Sequence, residues 1–169
     1  PYQAHFAEHM GPFAFEFQQV PSGKNGLDPQ AFANALDRFF GELPRGPQYS
    51  VEVRNAEFLV PAYFAVLREH NVAHLFNSWT RMPSIGEQLQ MADAITGDFL
   101  VARALLRQGR TYSAAVDAFA PYDHVQDENP ELRGDLAALA KAALELRIPA
   151  YLIVNNRAEG CAPLTITAV

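Results

Sequence analysis

The sequence predicts an α/β protein built on parallel strands, and three features carry that prediction. Short apolar runs rich in β-branched and aromatic residues alternate with segments of helical periodicity along the whole chain. Helical segments separate the strand-like runs, a spacing that requires right-handed parallel crossovers. The run Ala150-Tyr-Leu-Ile-Val stops at Asn155-Asn156 and opens into a Gly/Pro loop containing Arg157. That places paired amides and a guanidinium at a strand's carboxyl end, where α/β folds bind ligands.

In chain order, the candidate strands are residues 13–19, 49–55, 73–79, 99–105 and 150–155, each bounded by turn residues or a helix signal. The helices between them have readable starts. Asp28-Pro29 is an N-cap followed by proline at the first helical position, after which Phe32, Leu36, Phe39 and Phe40 recur at helical spacing. Pro61 opens a shorter helix through Phe64 and Leu67, residues 86–95 carry another, and residues 112–119 a further one before Pro121. Asn129-Pro130 repeats the cap before Leu132, Leu136, Leu139, Ala143 and Leu146, a stripe expected to cover the sheet.

Composition narrows the class. The 169 residues are 49% hydrophobic and 19% charged, enough to bury a core, with one domain over residues 1–169 the expected organisation. No stretch approaches the roughly 18 uninterrupted apolar residues of a spanning helix, and the first twenty residues lack a basic start followed by an apolar run. Cytoplasm is therefore the expected location, and the single Cys161 fits a reducing compartment. A formal charge of -6 provides no global attraction for nucleic acid or anionic lipid, so an anion site must be local.

Strands buried on both faces should be almost wholly apolar, which makes their polar positions informative. In Val51-Glu-Val-Arg-Asn55, alternation puts the valines on one face and Glu52 and Arg54 on the other. If the valines meet the helices, Glu52 and Arg54 point into a barrel. The next strand ends Asn77-Ser-Trp79, the following one carries Arg103, and the last ends at Asn155-Asn156, so four polar strand ends converge on one rim.

Three ordered motifs resemble a known family. Val51-Glu-Val-Arg-Asn55 is similar to the valine-glutamate-aromatic-arginine strand of the domain of unknown function 72 (YecE-like) family. Phe99-Leu-Val-Ala-Arg103 is similar to that family's later strand, and Val154-Asn-Asn-Arg-Ala-Glu-Gly-Cys-Ala-Pro163 to its closing asparagine-pair motif. The resemblance implies a TIM-type parallel (β/α) barrel of unassigned activity. Two positions depart from it: Arg103 is followed by Ala104-Leu-Leu-Arg-Gln-Gly109 in place of an arginine-leucine-histidine-glycine run, and Phe58 replaces a tryptophan. A complete eight-unit barrel takes about 250 residues. The resemblance thus implies about five βα units, the C-terminal part of a barrel, with the N-terminal strands expected from another segment or chain.

The candidate site residues follow. Arg103, Arg107, Arg110 and Arg157 lie at or just beyond the last two strands, with Gly109 and Gly160 among them, where TIM barrels frequently hold phosphate. The opposing reading makes Arg107 and Arg110 solvated charges and pairs Arg103 with Glu52. Glu52 and Arg54 suit a general acid/base and an electrostatic clamp, or else a charge layer that fixes strand register. Asn155 and Asn156 suit ligand orientation or loop capping, Asn77 lies at the same rim, and Trp79 offers a stacking surface or core packing. Gln18 and Gln19 carry little specificity. No metal site is expected: His5, His9, His70, His74 and His124 are scattered, His5, Glu8 and His9 form an H-x-x-E-H order without a further ligand, and only Glu16 and Glu52 are candidate metal acids on the strands. Cys161 reads as a passive small residue.

The function classes left open are three. The first is binding of a phosphorylated or carboxylated small molecule, with a hydrolase, isomerase or lyase as the activity and no cofactor specified. The second is a non-catalytic barrel for nucleotide or nucleic-acid backbone, disfavoured by net charge, and the third a structural or interaction domain.

Overall fold

The computed structural model describes residues 5–6, 9–21 and 26–169. Its strands are β1 (Phe13–Phe17), β2 (Tyr49–Val53), β3 (Ala73–Asn77), β4 (Leu100–Ala104) and β5 (Ala150–Val154). They form one sheet in the order β1-β2-β3-β4-β5, every pair parallel. The helices are α1 (Pro29–Glu42), α2 (Pro61–Glu69), α3 (Ile85–Leu89), α4 (Tyr112–Phe119), α5 (Pro130–Leu146) and α6 (Ala162–Thr167), with a short 3-10 turn at Ala56–Phe58. Among the described residues, no helix is long and apolar enough to cross a membrane.

The predicted helix starts are where capping chemistry puts them. Asp28 accepts the amides of Gln30 and Ala31 at 2.9 and 3.0 Å, and Asn129 accepts that of Leu132 at 3.2 Å. The helix expected over 86–95 is shorter: a Ser84/Glu87 capping box starts it and Leu89 ends it, four residues before Asp93 takes a φ of 64°.

Val51 and Val53 are fully buried in the main core with Phe32, Leu36 and Phe40 of α1, Tyr63, Phe64 and Leu67 of α2, and Leu132, Leu136, Leu139 and Ala143 of α5. Leu146 departs from its predicted stripe and is exposed, beside the left-handed Arg147 that terminates α5. Phe39 also stays at the margin, its ring edge-on to Phe15 at 5.1 Å. The other sheet face carries a smaller apolar group, Ala73, Leu75, Phe99 and Val101 with Tyr151 against it, and at its carboxyl end a layer of charges. β1 and β5 each have one neighbour in the sheet.

The strands end one or two residues earlier than the apolar runs predict, because the polar residues that follow them bond to loops. Asn55 exchanges two 2.9 Å hydrogen bonds with the backbone of Val20, N–H to side-chain oxygen and side-chain amide to carbonyl. Asn77 donates to the Val53 carbonyl at 3.1 Å and accepts the Trp79 amide at 3.1 Å, bridging β2 to β3. That ladder pairs Ser50 with Ala73 and Val51 with His74.

Candidate functional site

Alternation along the strands brings four charged side chains together on the sheet face opposite the main core. Glu16 and Glu52 are register partners on β1 and β2, and Arg103 rises from β4 toward both. One Arg103 nitrogen, Nη1, donates to Glu16 Oε2 at 2.9 Å and also to Glu52 Oε2. Arg54, at the end of β2, pairs through Nη2 with Glu16 Oε1 at 2.8 Å, donates through Nε to Glu52 Oε1 at 3.2 Å, and through Nη1 to Gln18 at 3.3 Å. Gln18 returns a 2.6 Å hydrogen bond to Glu16.

Two carboxylates and two guanidiniums thus alternate in a ring whose formal charges cancel. Glu52 is fully buried. Both its oxygens are occupied by guanidinium donors, the arrangement that makes burial of a carboxylate tolerable. Burial works to lower the Arg103 pKa, but hydrogen bonds and charge from Glu16 and Glu52 outweigh it and raise it above the ordinary value. The Arg54 guanidinium also lies 3.9 Å from the centroid of the Trp79 ring, so Trp79 joins this corner of the charge cluster to the core residues it packs against.

A second cluster lies on the loops after β4 and β5. Arg107 and Arg110 share one carboxylate: their Nη1 and Nη2 atoms meet Asp127 Oδ1 and Oδ2 at 2.7 and 2.6 Å. Burial pushes the Asp127 carboxyl up, yet Arg110 and Arg107 together hold it below the usual aspartate value. Arg110 stacks on Phe119 at 4.8 Å, and its Nη1 is buried without a hydrogen-bond partner among the described residues. Arg157 lies over the ring of Tyr112 at 4.2 Å, two residues on from Arg110, and forms no ion pair among the described residues.

The asparagine pair shapes this loop. Asn155 Oδ1 accepts the Arg157 amide at 2.9 Å and Asn156 Oδ1 accepts that of Ala162 at 2.8 Å. Both oxygens are spent on the turn, while neither side-chain NH2 group donates to a protein acceptor among the described residues.

Thus Glu52, Arg54, Arg103 and Trp79 come together at one end of the sheet, and Arg107, Arg110 and Arg157 at the neighbouring loops. Asn77 instead serves the backbone between two strands. Sequence reasoning gave no role to Asp127, Tyr112 or Glu159, and saw Glu16 only as a candidate metal acid. Glu16 was recoverable, since alternation from Phe15 and Phe17 puts it on the charged face, but nothing local marks Asp127 as a partner for arginines 17 and 20 residues away. Of the His5-Glu8-His9 set, Glu8 lies outside the described residues. Among the described residues, no group of three His, Cys, Asp or Glu side chains is placed to hold a metal ion. Cys161 is buried at the start of α6.

A family model described as "Protein of unknown function DUF72" matches residues 3–169. The fold is similar to that of a DUF72 family protein from Thermotoga maritima MSB8 (TM-score 0.60, 17% identity, 94% of this chain and 55% of that one). It is similar also to one from Enterococcus faecalis V583 (TM-score 0.59, 13% identity, 98% of this chain and 62% of that one). The chain therefore spans less than two thirds of the length of either. No curated protein matches.

Proposed function

The chain belongs to the DUF72 family, and from the charge layout of its rim we propose that it binds a phosphorylated or carboxylated small molecule at the carboxyl ends of its parallel strands. The observation that carries this reading is the uncompensated charge of the second cluster. Arg107 and Arg110 share a single carboxylate, Asp127, and Arg157 pairs with none among the described residues, in a protein whose formal charge is -6. Stacking on Phe119 and Tyr112 holds two of these guanidiniums in place before a ligand arrives, which lowers the ordering cost of binding. The free amides of Asn155 and Asn156 add neutral donors beside them.

In this reading the sheet is part of a TIM-type barrel, five of eight staves, with the remainder supplied by another segment or chain. Sequential parallel order, helices on one face and a charge layer on the other support it. The second cluster then occupies the loops that bind phosphate in such barrels.

Glu52 and Arg54 remain the candidates for catalysis in a hydrolase, isomerase or lyase. Glu52 takes part in proton transfer only if a substrate displaces a guanidinium from its carboxylate, since both oxygens are engaged. The same arginines suit the phosphates of a nucleotide or nucleic-acid backbone, against which the net charge of -6 weighs.

Calorimetric titration of inorganic phosphate and a phosphorylated sugar, at matched ionic strength, tests the proposal. Saturable binding is expected, weakened about tenfold by Arg157→Ala, the loss of one charge-assisted contact. Identical weak heats for both proteins would remove its basis.

A further inference from the structure

Resting on the anion-binding reading, we propose that Glu159 is the positioning residue of the rim, holding the loop that carries Asp127 in register with the loop that carries Arg157. Glu159 has no solvent exposure. Its side chain accepts the Asn129 amide at 2.5 Å and takes the Arg133 guanidinium on both oxygens, at 2.9 Å from Nε to Oε1 and 3.0 Å from Nη2 to Oε2. Hydrogen bonding to Glu159 is the chief reason the Arg133 pKa is raised. Its backbone carbonyl accepts two further amides, Gln126 at 2.8 Å and Asp127 at 3.1 Å.

One residue of the β5–α6 loop therefore anchors residues 126, 127, 129 and 133, through main chain and side chain together. The next residue makes the junction tighter. Gly160 has a φ of 119°, and a Cβ there would lie 2.6 Å from the His124 carbonyl oxygen and 2.9 Å from the Gln126 nitrogen. The two loops are thus in backbone contact, with no room for a side chain between them.

The consequence reaches the arginines at second hand. Asp127 fixes Arg107 and Arg110, and the amide of Asp127 hangs on the Glu159 carbonyl, while Arg157 sits two residues before Glu159 and stacks on Tyr112. The distance between the Arg110 and Arg157 guanidiniums then depends on the Glu159 junction together with the Tyr112 contact. An oxyanion that bridges them loses affinity steeply when such a spacing drifts, because both forks must point at one small group. Glu159 touches no ligand in this scheme.

The test compares wild type, Arg157→Ala, Glu159→Gln and Glu159→Asp by phosphate titration and by amide hydrogen exchange. Glu159→Gln keeps the shape and an acceptor for Asn129 but loses the ion pair with Arg133. We expect it to weaken phosphate binding about tenfold. It should speed exchange at Gln126, Asp127 and Asn129, leaving Val51 and Phe76 in the sheet unchanged. Glu159→Asp, which keeps the charge, should recover part of the affinity. If wild type binds phosphate and Arg157→Ala weakens it while Glu159→Gln does not, the positioning role is wrong and the binding site stands. If exchange at Gln126 and Asp127 is unaltered in Glu159→Gln, the role is equally wrong. Absence of binding in wild type removes the anion site, and the inference with it.

Discussion

Single side chains on this rim divide by whether their charge is already answered. Glu52 is buried with two guanidiniums on it, so replacing it leaves Arg54 and Arg103 to share the single carboxylate of Glu16 in a poorly solvated layer. Removing one partner of such a pair typically costs about 3–5 kcal/mol, and Glu52→Ala is expected to lower the urea midpoint accordingly. Arg157 answers to no acid among the described residues and rests on an exposed ring, so Arg157→Ala should change stability by less than about 1 kcal/mol while reducing anion affinity. Equal destabilisation by both substitutions would contradict this division. Alternation alone predicted that Glu52 and Arg54 share a face, and the packing of Val51 and Val53 on the helices bears that out. The reading that paired Arg103 with Glu52 is the one the structure shows, while the solvated role it gave Arg107 and Arg110 is replaced by their pairing with Asp127. That Glu16 joins Arg103 from 87 residues away was beyond local pattern.

Elements here are set largely by their ends. The Ser84/Glu87 capping box starts α3, which spans only five residues and has little internal hydrogen bonding to sustain it. Ser84→Ala is expected to cost about 1 kcal/mol, read from thermal unfolding. The β5–α6 loop is less forgiving. Gly160→Ala would place a methyl group against the His124 carbonyl at a φ that side chains avoid, and a loss of at least about 2 kcal/mol is expected, with residues 124–127 the first to lose amide protection. A stable, well-protected Gly160→Ala protein would show that the loops separate freely. Asp28-Pro29 and Asn129-Pro130 announced their helices because an N-cap is a local device. Residues 90–95 carried an apolar pattern but no helix, because Ile95 and Ala94 are recruited to the core through a turn with Asp93 left-handed.

For the whole molecule, the response to acid runs through a polar chain buried on the helix side of the sheet. The His74 imidazole is enclosed by Tyr63, Phe64 and Phe76, with Nδ1 3.0 Å from the Tyr63 hydroxyl and Nε2 3.2 Å from Gln88 Oε1. Gln88 Nε2 in turn donates to the carbonyls of Asn77 and Pro83 at 2.8 and 2.7 Å, so its oxygen faces His74, and the imidazole is neutral with its proton on Nε2. Burial, opposed by the Gln88 hydrogen bond, pushes the His74 pKa down to about 4. The unfolded imidazole takes up its proton near pH 6.5 and the folded one only near 4, so the unfolded state carries more protons between them. Stability should therefore fall as the pH drops from about 6.5 to 4, by up to roughly 1.4 kcal/mol per pH unit. His74→Gln should flatten denaturant midpoints measured across that range, and an unchanged slope would reassign it to other groups. Below about pH 4 the depressed Asp127 adds to the loss, since its stabilising charge disappears as the pH falls through its folded pKa.

The sequence by itself determined the parallel α/β class, the places of the five strands along the chain, the caps of α1 and α5, and the face on which Glu52 and Arg54 lie. Each of these follows from periodicity or from bonds spanning three or four residues, which act before the chain folds. Only the tertiary structure decided which arginines are neutralised. Pairing with Glu16, Glu52 or Asp127 depends on where distant strands and loops meet, and a guanidinium looks the same in sequence whether a carboxylate waits for it or not.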